Sequence, residues 1–312
     1  MDLVELGRSG TRVSSIGIGT WQAGDDTWGP DVNDRDCIDA IVRATELGMT
    51  LVDTAENYGR GHSEEVLGKA IRKVGRENVF VATKVSDHHM RPEDVAKACE
   101  ASLRRLGIKS IDLYQVHWPD PYDQVPLRDT MKAMEWLERR GKVGHIGVSN
   151  FAIRDLEEAR AALSRTDIVS DQVQYSLLHR NIEAEVAPYC AREKITILAY
   201  SPLARGALTG KYRPTQRPGD QVRTRDVFFR AANLRRIRPL IAAMERIGRT
   251  HDRTAAQVAL AWLRSHPGVV PIPGAKRPAQ AEGNAGGAGW RLTREERGRL
   301  DRISSGLRLD TF

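Results

Sequence analysis

The chain has 312 residues, 40% of them hydrophobic and 29% charged, a length that suits one large α/β unit or two ordinary ones with a core that holds without disulfides. Its three cysteines, Cys37, Cys99 and Cys190, are odd in number and far apart, which argues against a disulfide-stapled secreted framework and for the reducing cytoplasm. The formal net charge is +7, acidic Asp2 and Glu5 stand where a signal peptide needs bases, and no apolar run approaches the roughly 18 residues of a membrane span, so export and membrane insertion are not expected.

In chain order, a small hairpin over residues 3–13 comes first. Eight short β-branched or apolar runs follow, alternating with longer amphipathic segments. Strands are expected over 16–19, 50–53, 79–84, 111–117, 145–149, 169–174, 196–200 and 269–271. Helices are expected over 34–47, 63–74, 92–106, 127–140, 152–163, 183–193, 254–265 and about 278–285. The first helix carries Ile38, Ile41, Val42 and Thr45 at spacings of three and four, with Asn33 or Asp34 as N-cap and Gly48 as terminator. Eight strands is the count of a closed (β/α)8 barrel. After the seventh strand, a polar, Arg-rich loop over 213–226 and a helix of its own over 232–247 lengthen the connection, the tail after Leu292 lies outside the repeat, and extra helices are expected near the carboxyl terminus. No composition shift or Gly/Ser linker marks a boundary, so residues 1–312 are read as one domain. An open doubly wound sheet shows the same alternation, but its fingerprint Gly-x-Gly-x-x-Gly is absent: Gly17-Ile18-Gly19 runs on into Thr20-Trp21-Gln22.

Four residues fall at or just beyond the carboxyl ends of the early strands: Asp53, Tyr58, Lys84 and His117. In a barrel those ends form one rim, so residues more than sixty positions apart can share a pocket. A phenol titrates near pKa ~10 and is a weak proton donor at neutral pH, unless a neighbouring ammonium such as Lys84 stabilises the phenolate of Tyr58. Asp53 would hold the charge on Lys84, and a neutral His117 would donate to a substrate oxygen and turn it towards Tyr58. Together they are equipment for turning a carbonyl into an alcohol once a hydride arrives. Singly, each has an ordinary structural role: a strand-end ion pair for Asp53 and Lys84, a loop hydrogen bond for Tyr58, a satisfied core histidine for His117.

With these residues in place, the sequence resembles the aldo-keto reductase family, bacterial type. The resemblance rests on Asp53-Thr54-Ala55-Glu56-Asn57-Tyr58-Gly59 with Ser63-Glu64, on Lys84, on Tyr114-Gln115-Val116-His117-Trp118-Pro119-Asp120, on Gly144-His145-Ile146-Gly147-Val148-Ser149-Asn150-Phe151 and on Tyr200-Ser201-Pro202-Leu203. It runs in order over about residues 1–305. It implies a (β/α)8 barrel, no metal, and NADPH-dependent reduction of aldehydes or ketones, with Tyr58 as general acid, Lys84 and Asp53 as its tuning pair and His117 as the orienting group. It also implies a coenzyme site that includes Thr20, Trp21 and Asp53. Ser149, Asn150 and Gln174 would meet the nicotinamide carboxamide and Tyr200 would stack on its ring. Ser201, Pro202, Leu203, Gly206, Leu208 and Lys211 would line the pyrophosphate, and Gly274, Lys276, Gln280 and Asn284 would meet the adenosine phosphate end.

One departure stands out: Gln280-Ala281-Glu282-Gly283-Asn284 has glycine where the family commonly places an acid beside the adenine, which implies a looser adenine end. NADPH is still expected ahead of NADH, since Lys276 and Arg277 suit a 2′-phosphate. Trp21, Trp28 and Trp118, with Tyr122 or Phe228, are candidates to wall an apolar pocket for a small-molecule carbonyl substrate, whose identity the sequence does not name. Residues 1–200 carry a charge of −6 and 201–312 a charge of +13. Nucleic acid is the first anion to weigh against that basic excess, yet no zinc-finger spacing, RNA-binding aromatic signature or basic zipper supports it, and no nucleic-acid partner is expected. Solvated helix faces account for most of these arginines. A monomer or small homo-oligomer is expected. The alternative function is a coenzyme-binding protein that acts by partner contact on the same barrel.

Overall fold

A computed structural model describes residues 1–122, 124–216 and 218–310. Strands β1 (Leu3–Glu5) and β2 (Arg12–Ser14) pair antiparallel as the expected hairpin. Eight strands then follow: β3 (Ile18–Gly19), β4 (Leu51–Asp53), β5 (Phe80–Val85), β6 (Ile111–Val116), β7 (Val143–Ser149), β8 (Ile168–Gln174), β9 (Thr196–Tyr200) and β10 (Val269–Pro271), each parallel to its neighbour in chain order. The first and last meet at a seam, where Gly17 and Gly19 donate backbone hydrogen bonds to the carbonyls of Pro271 (3.0 Å) and Pro273 (3.1 Å). A parallel bridge between Gly19 and Gly274 completes the closure. A side chain at Gly17 would strike the Leu51 carbonyl, with its Cβ at 2.9 Å, so the close approach of strands here requires glycine. The architecture is a (β/α)8 barrel.

Helices α1 (Asp34–Glu46), α2 (His62–Val74), α3 (Pro92–Leu106), α4 (Leu127–Arg139), α5 (Ile153–Ala162) and α6 (Val186–Glu193) cover the strands in alternation. The connection from β9 to β10 holds α7 (Gln221–Arg225), α8 (Ala231–His251) and α9 (Ala255–Arg264); α10 (Pro278–Ala285) and α11 (Arg294–Ser305) follow β10. Local chemistry sets these limits. Asn33 caps α1 by accepting from the Asp36 amide, and Asp34 and Asp36 sit in its first turn, where the helix dipole favours acids. Pro92 opens α3 and Gly107, in the left-handed region, closes it. The helix expected over 183–193 begins only at Val186, preceded by a single tight turn at Asn181–Glu183. Thr293 and Glu296 form a reciprocal capping box that starts α11 in the tail, and its Leu300 is buried.

Alternation along the strands layers the barrel interior. Leu51, Ala82, Leu113 and Leu198 form an apolar floor with Val270 and Ile272, plugged from below by Leu6 and Val13. Two residues further along the same strands stand Asp53, Lys84, Gln115 and Tyr200, one step nearer the carboxyl rim. The period of two thus turns an oily floor into a polar layer at the height where the pocket begins.

Candidate active site

Asp53 is the last residue of β4 and is buried, as is Lys84 on β5, which has 0% exposure. The Lys84 ammonium uses its three protons on the Asp53 carboxylate (Oδ1, 2.6 Å), the Thr54 carbonyl (2.8 Å) and the Tyr58 hydroxyl (3.3 Å). A carboxylate this close is the partner a buried ammonium needs to stay charged. Burial pulls the Lys84 pKa down, but Asp53 and Tyr58 outweigh it, so the ammonium titrates above its ordinary value. Burial pushes the Tyr58 phenol up, opposed by the positive charge of Lys84.

Tyr58 sits in a tight turn (Tyr58–Gly61) between β4 and α2. Gly59, at φ 56°, lies against Gly24 so closely that a Cβ would come within 1.8 Å of the Gly24 carbonyl oxygen. Only glycine fits, and the contact locks the turn to the segment that carries Trp21. Beneath the turn, Ser63 donates to the Thr20 carbonyl (2.9 Å) and bonds the hydroxyls of Thr20 (2.7 Å) and Thr54 (3.0 Å). Thr20 also reaches the Asp53 carbonyl, at 2.9 Å.

His117 follows β6, with its ring edge-on to that of Tyr58 at 5.7 Å. Burial first, and then the charge of Lys84, lower its pKa from 6.5 to about 3, so the ring is neutral at physiological pH. Asn150, at the end of β7 with φ 62°, ties this corner together. Its amide donates to the His117 carbonyl (3.2 Å) and the Ser149 hydroxyl (2.9 Å), and its Oδ1 accepts from the Tyr200 hydroxyl (3.0 Å). The N-cap of α5 is Ala152, whose amide donates to Asp155, so Ser149 and Asn150 are not spent on capping.

A cavity of about 500 Å³ opens over this layer. Of the expected residues it brings together Trp21, Trp28, Asp53, Tyr58, His117, Trp118, Ser149, Asn150, Tyr200, Ser201, Pro202, Leu203, Gly206, Lys211, Gly274, Lys276, Gln280 and Asn284. Lys84 lies directly beneath. Three expected contacts fall elsewhere. Thr20 is buried in the hydroxyl network below Asp53, and Leu208 is buried in the core while its neighbour Thr209 faces the cavity. Gln174 does not line the cavity, whereas Gln172, two residues earlier on the same strand and paired with Ser149 in the β7–β8 ladder, does. Neither Tyr122 nor Phe228 lines the cavity.

The far end of the cavity is basic. Arg223 of α7 stacks over Trp28 at 4.9 Å and donates to the Arg205 carbonyl (2.8 Å) and Asp220 (2.6 Å). Lys276 donates to the Trp28 carbonyl. Burial and then the charge of Arg223 lower the pKa of both Lys211 and Lys276. Half-buried like charges gathered this way repel each other and are relieved by an anion. Arg277 turns outward to Asp31 and Asp36 instead. Amide and hydroxyl groups at one end, a ring face between and cations at the other form a set that fits a nicotinamide dinucleotide.

Sequence comparison names the group to which this parallel barrel, with its Tyr–Lys–Asp–His cluster at the carboxyl rim, belongs. The chain belongs to the aldo/keto reductase family, whose model matches residues 15–305. It is 43% identical over 293 residues to the oxidoreductase Rv2298 of Mycobacterium tuberculosis, covering 93% of this chain and 88% of that one. The NADH-specific methylglyoxal reductase of Escherichia coli is 32% identical over 305 residues, 91% of this chain and 92% of the relative. Among solved structures, the glycerol dehydrogenase from Gluconobacter oxydans superposes with a TM-score of 0.87 at 31% identity, over 100% of this chain and 98% of that one. An aldo/keto reductase from Klebsiella pneumoniae, in complex with NADP and acetate, gives 0.77 at 31% identity over 99% and 100%.

Proposed function

We propose that the protein is an NADPH-dependent reductase of aldehydes or ketones with Tyr58 as its proton donor. The observation that carries this reading is the fully buried Lys84, bonded at once to Asp53 and to the hydroxyl of Tyr58 at the floor of the cavity. When bound, the coenzyme's nicotinamide supplies the hydride. Ser149, Asn150 and Gln172 offer groups for its carboxamide, Tyr200 a ring face, and Lys211, Arg223 and Lys276 positive charge for its phosphates. Trp21, Trp28 and Trp118 line the cavity and offer the substrate an apolar wall. Neutral His117 donates a hydrogen bond to the carbonyl oxygen and turns it towards Tyr58. As the carbon gains its new C–H bond, the oxygen takes the phenolic proton, and the ammonium of Lys84 stabilises the phenolate until solvent reprotonates it.

Replacing Tyr58 by Phe leaves the cavity and removes the proton. Turnover of an aromatic aldehyde is expected to fall by about 10²–10⁴-fold or more, with NADPH binding retained by fluorescence titration. A variant that turns over at the wild-type rate would rule Tyr58 out. Coenzyme choice has its own test, because a relative at 32% identity is NADH-specific while the Klebsiella neighbour carries NADP. The basic end of the cavity supports NADPH, whose kcat/KM is expected to exceed that of NADH by about tenfold or more. Equal values would remove the preference.

A further inference from the structure

The polar layer holds one residue that the proposed chemistry leaves unused. Gln115 on β6 has 0% exposure and stands level with Lys84 in the β5–β6 ladder, two residues above the apolar Leu113. A primary amide in a barrel core costs free energy unless its polar atoms are bonded, and an apolar side chain of similar size would fill the same space. Its partners are specific. The amide nitrogen donates to Asp53 Oδ2 at 3.3 Å, and the amide oxygen accepts from Gln172 Nε2 at 3.4 Å. Gln172 Nε2 itself donates to Asp53 Oδ2 at 2.7 Å. The two oxygens of Asp53 are therefore divided: Oδ1 serves Lys84, and Oδ2 serves the two amides.

We propose that Gln115 is a positioning residue that joins the nicotinamide seat to the proton donor, holding Asp53 by the carboxylate oxygen that Lys84 does not use and fixing which way the amide of Gln172 faces. The proposal rests on the coenzyme-dependent reductase reading of the cavity. With its nitrogen kept on Asp53, Gln172 presents its oxygen to the cavity as an acceptor for the N–H of a carboxamide. A donor on that oxygen polarises the amide and strengthens its bond to Asp53, so coenzyme docking is felt by the carboxylate that sets the charge around Lys84 and Tyr58. Without Gln115, the Gln172 amide loses the acceptor that helps orient it. Asp53 also loses a donor, leaving more of its negative charge to oppose ionisation of Tyr58.

The test uses Gln115→Met, which keeps the length of the side chain and removes both polar atoms, with Gln115→Leu as the second variant should the first not fold. Circular dichroism and melting establish folding. Two quantities are then read: the NADPH dissociation constant, by fluorescence, and the pH profile of kcat/KM with an aldehyde. The dissociation constant is expected to weaken by about two- to tenfold, and the basic limb of the profile to move up by about 0.5 pH unit or more. A folded variant with wild-type values for both overturns the proposal, whatever its melting temperature, because a purely structural role would alter stability alone. Should the wild-type protein bind NADPH and reduce no carbonyl, the reductase reading fails, and the dissociation constant of the variant then decides the role of Gln115 by itself.

Discussion

At the scale of single residues, the site is a set of charges whose protonation states are imposed by their surroundings. His117 shows this most directly. It titrates near 3 in the folded protein and near 6.5 in the unfolded chain. Between those values the unfolded chain binds the extra proton, so the folded state loses stability as pH falls. From pH 6 to pH 5 this single group is expected to cost about 1 kcal/mol, measured as the difference in urea stability that His117→Gln abolishes. The same neutrality has a kinetic side: protonation of His117 contributes no loss of activity at pH 6–7, and an acid limb there that disappears in His117→Gln would contradict the assignment. The four residues of the cluster were legible in the sequence because each ends or follows a strand, and alternation puts strand ends on one rim. Gln172 was not. Two glutamines on one face of β8 look alike until the ladder with β7 pairs one of them, Gln172, with Ser149.

Helices and loops read less evenly than strands. The parallel strands appear as short apolar runs because they are covered on both faces, and all eight lie where the sequence pattern puts them. The long helix α8 extends beyond its expected limits, since Ala231 and the residues up to His251 add turns without an apolar stripe of their own. An extra helix near the carboxyl end was expected without bounds, and α11 supplies it; Thr293 and Glu296 spell its capping box. Loop orientation was also hidden: Leu208 turns into the core and Thr209 to the cavity, a choice made by the left-handed conformations of Ala204, Arg205 and Gly206 before them. Helix α10 carries a test of its own. Gly283 sits in its interior with an ordinary φ, and a Cβ there would meet no atom within 4 Å. Gly283→Ala is therefore expected to stabilise the protein by about 0.5–1 kcal/mol, read as a rise in Tm, by reducing the freedom of the unfolded chain. A lower Tm would mean that the space is not open in solution.

Across the whole molecule, the basic excess of residues 201–312 divides into two kinds of charge. Lys211, Arg223 and Lys276 converge on the cavity, whereas Arg235, Arg246 and Arg249 stand on the exposed face of α8. Others are spent on surface pairs, Arg236 with Asp310 and Arg238 with Glu245, that contribute little each.

The seam between β3 and β10 carries a different consequence, one that concerns synthesis. The first barrel strand has no partner on one side until the segment around residues 269–274 exists, so closure joins parts of the chain more than 250 positions apart. For almost the whole of its emergence from the ribosome the nascent barrel is an open sheet with two bare edges, which can pair with other chains. A chain ended at residue 265 keeps seven strands and most of the core, yet it is expected to collect in the insoluble fraction, while the full chain stays in the supernatant under the same expression conditions. A soluble, monomeric truncation would show that the seven-stranded sheet protects its own edges.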